Sequence, residues 1–327
     1  MKGKNMVFLE ILWDGILPLI VLIGAGIFLD SKFKIDLSTY NKLIIWVTLP
    51  CFVFYGIYNY IPSYSSLVLV PLAIVLITLQ YFCSSIFARL FKIEKDKKTI
   101  FKAISTYSSI GYIGISLVML IYSRMPYIAD IEQSLINESR GTIVLLLLIM
   151  LSAIYIFEPC QFGEEELSFK NTIKHIIKMP SIYAIILAIL VKTLGFHIET
   201  TFLWSIIKHY IGAFMILVLI SVGMQINRIK WKKPDKFMYV SAFAKLIINP
   251  VLAYIILKII NLPNPLDSQV FFIYSSISSS FLTAVYANEH DKYKSYVLQS
   301  ILFNTILGII TMSTVIYISP YLFPIGQ

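Results

Sequence analysis

Two short stretches, residues 105–116 (STYSSIGYIGIS) and residues 275–283 (SSISSSFLT), decide the fold that this sequence predicts. Each places serines and other small polar residues inside an apolar run of the length that crosses a membrane. A helix at membrane depth can unwind at such residues, because their hydroxyls can hydrogen-bond the backbone groups that unwinding frees. Both stretches are therefore predicted to be interruptions in transmembrane helices.

The composition around these stretches indicates a membrane protein. Of the 327 residues, 58% are hydrophobic and 14% are charged, whereas soluble domains carry about 25% charged residues. Apolar runs of spanning character occupy residues 9–29, 43–60, 67–87, 103–122, 142–157, 181–194, 206–224, 237–260, 270–287 and 296–318. We therefore expect an all-α polytopic protein of about ten transmembrane helices in a lipid bilayer.

The positive charge of the chain is concentrated in alternate loops. Residues 89–102 contain six lysines or arginines, and residues 228–236 contain five. By the positive-inside rule these loops are cytoplasmic, which places both termini outside. The richness of the chain in lysine, isoleucine, asparagine and tyrosine is typical of AT-rich bacterial genomes, and on that ground we expect a plasma-membrane location. The net charge of +9 thus indicates orientation in the membrane, and we expect no nucleic-acid partner.

A polar segment divides the chain into halves. Residues 1–157 are predicted to form a first five-helix repeat, residues 158–179 a cytoplasmic linker and residues 180–327 a second five-helix repeat. An odd number of spans in each half turns the second half over, which is the arrangement of an inverted repeat. Pro71 and Pro250 are predicted counterparts in the third and eighth spans, and the serine-rich interruptions fall in the fourth and ninth.

Interrupted spans at matching positions predict a substrate site at the midplane of the membrane. The N-terminal ends of the two half-helices would direct positive dipole ends at that site, which favours an anion. The other interpretation is that small residues simply allow close packing of helices. Candidate substrate contacts in these stretches are Ser108, Ser109, Gly111, Gly114, Ser116, Ser278 and Ser279.

Two ionisable residues within the predicted spans are further candidates. Lys245 lies about eight residues into the eighth span, roughly 12 Å deep. It is interpreted as an anion contact or a coupling charge, or else as a side chain that snorkels to the headgroups. Asp14 is interpreted as a proton or cation ligand or as an interfacial residue, whereas Gln299 and Asn304 are assigned structural roles.

No motif in the sequence indicates an enzyme. The three cysteines and four histidines lack metal-ligand spacing. No nucleophile is paired with a histidine, and there is no phosphate-binding loop. We therefore expect no catalytic activity and no bound cofactor, with a proton or sodium gradient as the source of energy.

Several short motifs occur along the chain in a distinctive order and spacing. They are Ile16-Leu17-Pro18, Leu49-Pro50 followed by Cys51-Phe52-Val53-Phe54, residues 110–117, Met179-Pro180, Leu219–Met224 and Ala244–Pro250. In order and spacing they resemble the motifs of the auxin efflux carrier family of membrane transporters, over nearly the whole chain. Serine stands at Ser109 where the family usually has asparagine, at Ser116 where it usually has proline, and at Ser278 near a usual proline.

This resemblance implies two inverted halves of five helices, with crossed and broken fourth and ninth helices. It also implies a rocking or elevator-like mechanism, a homodimer, and a small organic anion such as a carboxylate as substrate. Pro50, within one of the motifs, is a further candidate for the substrate site. Two alternatives stay open: a sodium-coupled bile-acid-type carrier of the same general fold, and a non-transporting membrane sensor or scaffold.

Overall fold

The computed structural model describes residues 17–59, 66–109, 133–162, 177, 180–229, 231, 233–281, 283–284, 287 and 293–324. Its helices are numbered here in chain order. They are α1 (Leu17–Phe33), α2 (Leu37–Asn59), α3 (Leu69–Leu90), α4 (Lys98–Thr106), α5 (Gln133–Phe162), α6 (Pro180–Thr193), α7 (Phe202–Asn227), α8 (Lys236–Ile260), α9 (Pro265–Ser275) and α10 (Lys294–Leu322). Helix α5 continues through residues 158–162, the start of the predicted linker.

The described helices have the surface of a membrane protein. Among them, α2, α3, α7, α8 and α10 are long and apolar enough to cross a membrane, and α6 is a shorter apolar helix. Large apolar side chains face outward, for example Leu90 at 69% exposure and Ile310 at 67%, while the Gln80 and Asn304 amides are fully buried. Lipid favours this inverted distribution. The prediction of a multi-pass membrane protein is confirmed.

The helices form two groups. In the first group, α1 packs along α7, and α2 packs against α6 and α7. In the second group, α3 packs against α4, α5 and α8, and α9 packs against α5, α8 and α10. Helix α2 also contacts α5, and there a Cβ placed on Gly56 would lie 2.7 Å from Val144 Cγ2. Helices α4 and α9, which carry the serine-rich stretches, both belong to the second group.

Two glycines set the close contact between α1 and α7. A Cβ placed on Gly26 would overlap the carbonyl oxygen of Ile220, and one on Gly223 would overlap a carbonyl oxygen of α1. Only glycine lets two backbones approach this closely. At one end of the pair, Arg228 Nε donates to Asp30 Oδ1 at 3.0 Å. The contact therefore combines backbone packing with a charged hydrogen bond.

Two helices contain a π turn just before a proline. Residues Ile44–Thr48 of α2 precede Pro50, and Ala244–Ile248 of α8 precede Pro250. Proline has no N–H, and its ring clashes with the carbonyl four residues earlier in an α-helix; the wider π turn relieves that clash. Pro71 instead lies in the first turn of α3, where this adjustment is unnecessary. The predicted counterparts Pro71 and Pro250 thus differ in local structure.

Short polar side chains begin three of the helices. Asp36, Asp235 and Asn264 are the N-caps of α2, α8 and α9, and each accepts a hydrogen bond from a first-turn N–H, at 3.0, 3.1 and 2.9 Å respectively. Such caps satisfy backbone donors that have no partner within the helix. Hydrogen bonds from the hydroxyl and N–H of Thr39 also lower the pKa of Asp36 below its ordinary value.

Candidate functional site at a crossing of two chain segments

Helices α4 and α9 both end inside predicted membrane spans. Helix α4 ends at Thr106, and Tyr107 after it has extended backbone angles. Helix α9 ends at Ser275, and Thr283 and Ala284 are again helical. Serine hydroxyls favour the ending of α9, because they compete with the backbone for its own hydrogen bonds. Two chain segments that leave helical geometry thereby lie inside the protein.

These two segments pair with each other. Ser109 N donates to Ser278 O at 2.8 Å, and Ser280 N donates to Tyr107 O at 3.0 Å. The pairing is a short antiparallel bridge between Ser108 and Ser279. We call residues 107–109 and 277–280 the crossing. All of its side chains are buried, so the pairing supplies partners that water would supply at a protein surface.

The end of α4 is closed by donors from distant parts of the chain. The last four carbonyls of a helix lack partners within it and need them when buried. Three of the four donors here belong to other segments. In chain order, Ala103 O accepts from Tyr107 N at 3.0 Å, Ile104 O from Ser279 Oγ at 2.7 Å, Ser105 O from Gln80 Nε2 at 2.8 Å and Thr106 O from Lys245 Nζ at 2.8 Å.

The end of α9 is closed mainly by its own neighbours. Only the donor to Ser275 O comes from another helix. Phe272 O accepts from Ser275 Oγ at 2.6 Å, Ile273 O from Ser276 Oγ at 2.7 Å, Tyr274 O from Ile277 N at 3.3 Å and Ser275 O from Asn249 Nδ2 at 2.7 Å. Lys245 and Asn249 lie four residues apart on α8. Lys245 donates to the end of α4, and Asn249 donates to the end of α9.

Lys245 is fully buried at the crossing. Its ammonium donates to Thr106 O at 2.8 Å and to Ser108 Oγ at 2.7 Å. The C-terminal end of a helix carries partial negative charge, which stabilises a nearby cation. No described carboxylate lies within ion-pair distance of Lys245 Nζ. The charge is therefore held by neutral oxygens alone among the described residues.

The serines predicted to bind substrate differ in what their hydroxyls do. Ser279 Oγ donates to Ile104 O and accepts from Asn304 Nδ2 at 2.8 Å. Ser108 Oγ accepts from Lys245, whereas the contact of Ser278 Oγ with a threonine of α10 is long, at 3.3 Å. Ser109 Oγ is buried and has no partner among the described residues. Ser109 thus has a buried hydroxyl without a described partner, and the Ser278 hydroxyl has one long contact.

Several buried oxygens near the crossing have no hydrogen-bond partner within the described part of the chain. They include the amide oxygens of Gln80, Asn249 and Asn304. Each of these side chains donates through its nitrogen to the helix ends or the crossing. Sequence reasoning missed Gln80 and Asn249. Gln80 could have been found as the only amide in the 22 residues of α3.

The remaining predicted site residues lie elsewhere. Pro50 follows the first π turn on α2, in the first group of helices. Asp14, Gly111, Gly114 and Ser116 fall outside the described residues, as do the predicted half-helix N-termini of the fourth span. The structure therefore brings together Ser108, Ser109, Ser278, Ser279 and Lys245.

Comparison with known families agrees with the membrane character of this site. The profile of a family described as "Membrane transport protein" matches residues 12–163 and residues 164–317. No curated protein matches the chain. The two matched intervals together contain both helix ends and the crossing.

Proposed function

The chain belongs to the auxin efflux carrier family of membrane transport proteins, and on that premise we propose that it carries a small organic anion, such as a carboxylate, by alternating access. It would act as a secondary active transporter for efflux or exchange at the plasma membrane, driven by a proton or sodium gradient. The proposal includes two inverted five-helix repeats at residues 1–157 and 180–327, a cytoplasmic linker between them, termini outside, and a homodimer.

The crossing is the observation that carries this proposal. Residues 107–109 and 277–280 leave helical geometry inside the protein and pair through Ser108 and Ser279. Non-helical backbone at membrane depth is stable only where protein buries it or where it lines a cavity, and transporters place substrate sites at such points. Close packing of small residues alone would not require two helices to end there.

The charge at the crossing supports an anion as substrate. Lys245 places its amino group at this buried point, and in its protonated form no described carboxylate neutralises it. The Ser109 hydroxyl, which has no partner among the described residues, can donate a hydrogen bond to a carboxylate oxygen. A carboxylate bound there would gain a charge-assisted hydrogen bond, which is stronger than a neutral one.

The two groups of helices support alternating access. The crossing lies wholly in the second group, while α1 and α7 of the first group are in backbone contact at Gly26 and Gly223. A close glycine contact favours a rigid body. We propose that the second group moves against the first and presents the crossing to each side of the membrane in turn.

The test is counterflow in proteoliposomes with labelled malate, lactate, citrate and indole acetate, against empty liposomes. We expect saturable flux of at least one carboxylate. The double variant Ser109→Ala Ser278→Ala should lower its initial rate about tenfold or more, since a hydrogen bond to a charged group contributes about 1.5–3 kcal/mol. Ser31→Ala, whose exposed hydroxyl bonds only its own helix, is the matched control.

Three other results would change or sharpen the proposal. Folded protein without flux of any carboxylate would overturn the anion as substrate and favour the sensor or scaffold alternative. Flux that needs external sodium would select the sodium gradient over the proton gradient as the driving force, and it is also the result expected of the bile-acid-type alternative of the same general fold. A double variant with unchanged kinetics would remove the substrate site from the crossing while leaving transport itself intact.

A further inference from the structure

The Lys245 ammonium lies in an environment that resembles a binding site for a small cation. Its side chain is fully buried, and its two described partners are a backbone carbonyl and a hydroxyl, at 2.8 and 2.7 Å. Carbonyl oxygens of this kind replace the hydration shell of alkali ions in selectivity filters. The nitrogen therefore occupies a position that a free monovalent cation could also occupy.

The charges around the Lys245 nitrogen favour the binding of a single cation there. They do not favour a second one. The end of α4 contributes the partial negative charge of its last carbonyls, and Thr106 O at that end is the acceptor of Lys245. The residues of the crossing, 107–109 and 277–280, include no acidic side chain. A second cation beside the ammonium would meet like-charge repulsion in a medium of low dielectric constant.

We propose that the oxygens of Thr106 and Ser108 form a monovalent-cation site, and that the ammonium of Lys245 fills it as a tethered cation. This inference rests on the proposed function, since it assigns to Lys245 the place that a coupling ion would take in the transport site. Removal of the lysine side chain should then open the site to a small cation from solution.

The experiment measures thermal unfolding of purified Lys245→Ala protein in detergent, with no transport step. Alanine keeps the Cβ of Lys245, so the vacated space has the length of n-propylammonium. We expect n-propylammonium chloride, at about five times its Kd and at constant ionic strength, to raise the apparent Tm of Lys245→Ala by about 1–2 °C in a saturable way. n-Propanol and tetramethylammonium should not do so, because one lacks the charge and the other lacks N–H donors.

Lys245→Met is the matched control, because methionine fills most of the same space without a charge. It should show no selective response, and the wild-type protein should show none, since its site is already filled. Equal Tm shifts in Lys245→Ala and Lys245→Met would overturn the proposal by placing the binding elsewhere. No shift in folded Lys245→Ala would overturn it as well.

Failure of Lys245→Ala to fold is also informative. In that case the variant should be recovered as a monodisperse protein only when n-propylammonium, and not n-propanol, is present during purification. Recovery in neither would count against the proposal. Because these measurements use binding and folding only, they can fail while carboxylate counterflow succeeds, and they can succeed while counterflow fails.

Discussion

The two helix ends that meet at the crossing are stabilised in different ways. At the end of α9, the serines at 275 and 276 and the backbone of Ile277 satisfy three of the last four carbonyls. At the end of α4, three of the four donors come from Gln80, Lys245 and Ser279, which lie on other segments. The break after α9 is therefore a local property of its serines, while the break after α4 exists only within the assembled protein.

This difference suggests different roles in transport. A helix end closed by distant side chains changes whenever those side chains move, whereas a locally closed end moves as a unit. Movement of α3 or α8 would directly disturb Thr106 and the preceding carbonyls. We therefore expect substitutions at the α4 end to have larger effects than substitutions at the α9 end.

The largest effect is expected from Lys245→Ala at the α4 end. Counterflow should fall to the level of empty liposomes while the protein stays monodisperse, since the variant loses both the buried charge and the donor to Thr106 O. Lys258→Ala, on the exposed face of the same helix, is the control and should keep wild-type flux. Unchanged kinetics in Lys245→Ala would remove this residue from the transport site.

Gln80→Leu should have the next largest effect. Gln80 Nε2 donates to Ser105 O at 2.8 Å and to Ala244 O at 2.7 Å, so leucine leaves two buried carbonyls without these donors. Each such loss is worth about 1–3 kcal/mol, and we expect a loss of about 2–6 kcal/mol of stability in thermal unfolding. Thr78→Val, on the exposed side of α3, should leave the unfolding temperature unchanged.

Asn249→Leu tests the α9 end by the same logic and should have a smaller effect. Only Ser275 O loses a donor, so we expect a loss of about 1–3 kcal/mol, measured under the same conditions. The comparison between the two helix ends depends on the ratio of these two values. If Asn249→Leu destabilises the protein more than Gln80→Leu, the α9 end is the one that depends on tertiary contacts.

The smallest effect on stability is expected from Ser109→Ala. The hydroxyl is buried without a described partner, so its removal should change stability by no more than about 0.5 kcal/mol, or increase it. Carboxylate flux should nevertheless fall. Ser279→Ala is the structural counterpart, because it removes the donor to Ile104 O and should lower the unfolding temperature. Similar unfolding and flux changes in both variants would contradict this division of roles.

Much of the architecture could be predicted because it depends on local sequence. Runs of apolar residues and the positions of lysines predict membrane helices without any knowledge of their neighbours. The serine stretch at 275–280 predicts the end of α9 for the same reason, because its hydroxyls bond to carbonyls three residues earlier. The family resemblance is also carried by short local motifs, and the family match confirms it.

The partners of the buried polar atoms could not be predicted in this way. Gln80 and Ala244 are 164 residues apart in the chain, and Lys245 and Thr106 are 139 apart. From the sequence, the Lys245 side chain could point into the protein or snorkel to the headgroups. The hydropathy of the span is the same in both cases, so it does not distinguish them. The packing of α8 against α3 and α4 decides between them.

Hydropathy and charge placement alone indicate a multi-pass helical protein, and serine content locates the two stretches where helices end. The transporter family is indicated by short motifs that resemble those of its members. These properties depend on residues close together in the chain, so the sequence is sufficient to predict them. Only the tertiary structure decides which carbonyls at the α4 end are paired, which hydroxyls at the crossing are available to a ligand, and where the charge of Lys245 lies. Those outcomes depend on atoms brought together from α3, α8 and the two crossing segments, and no single segment contains that information.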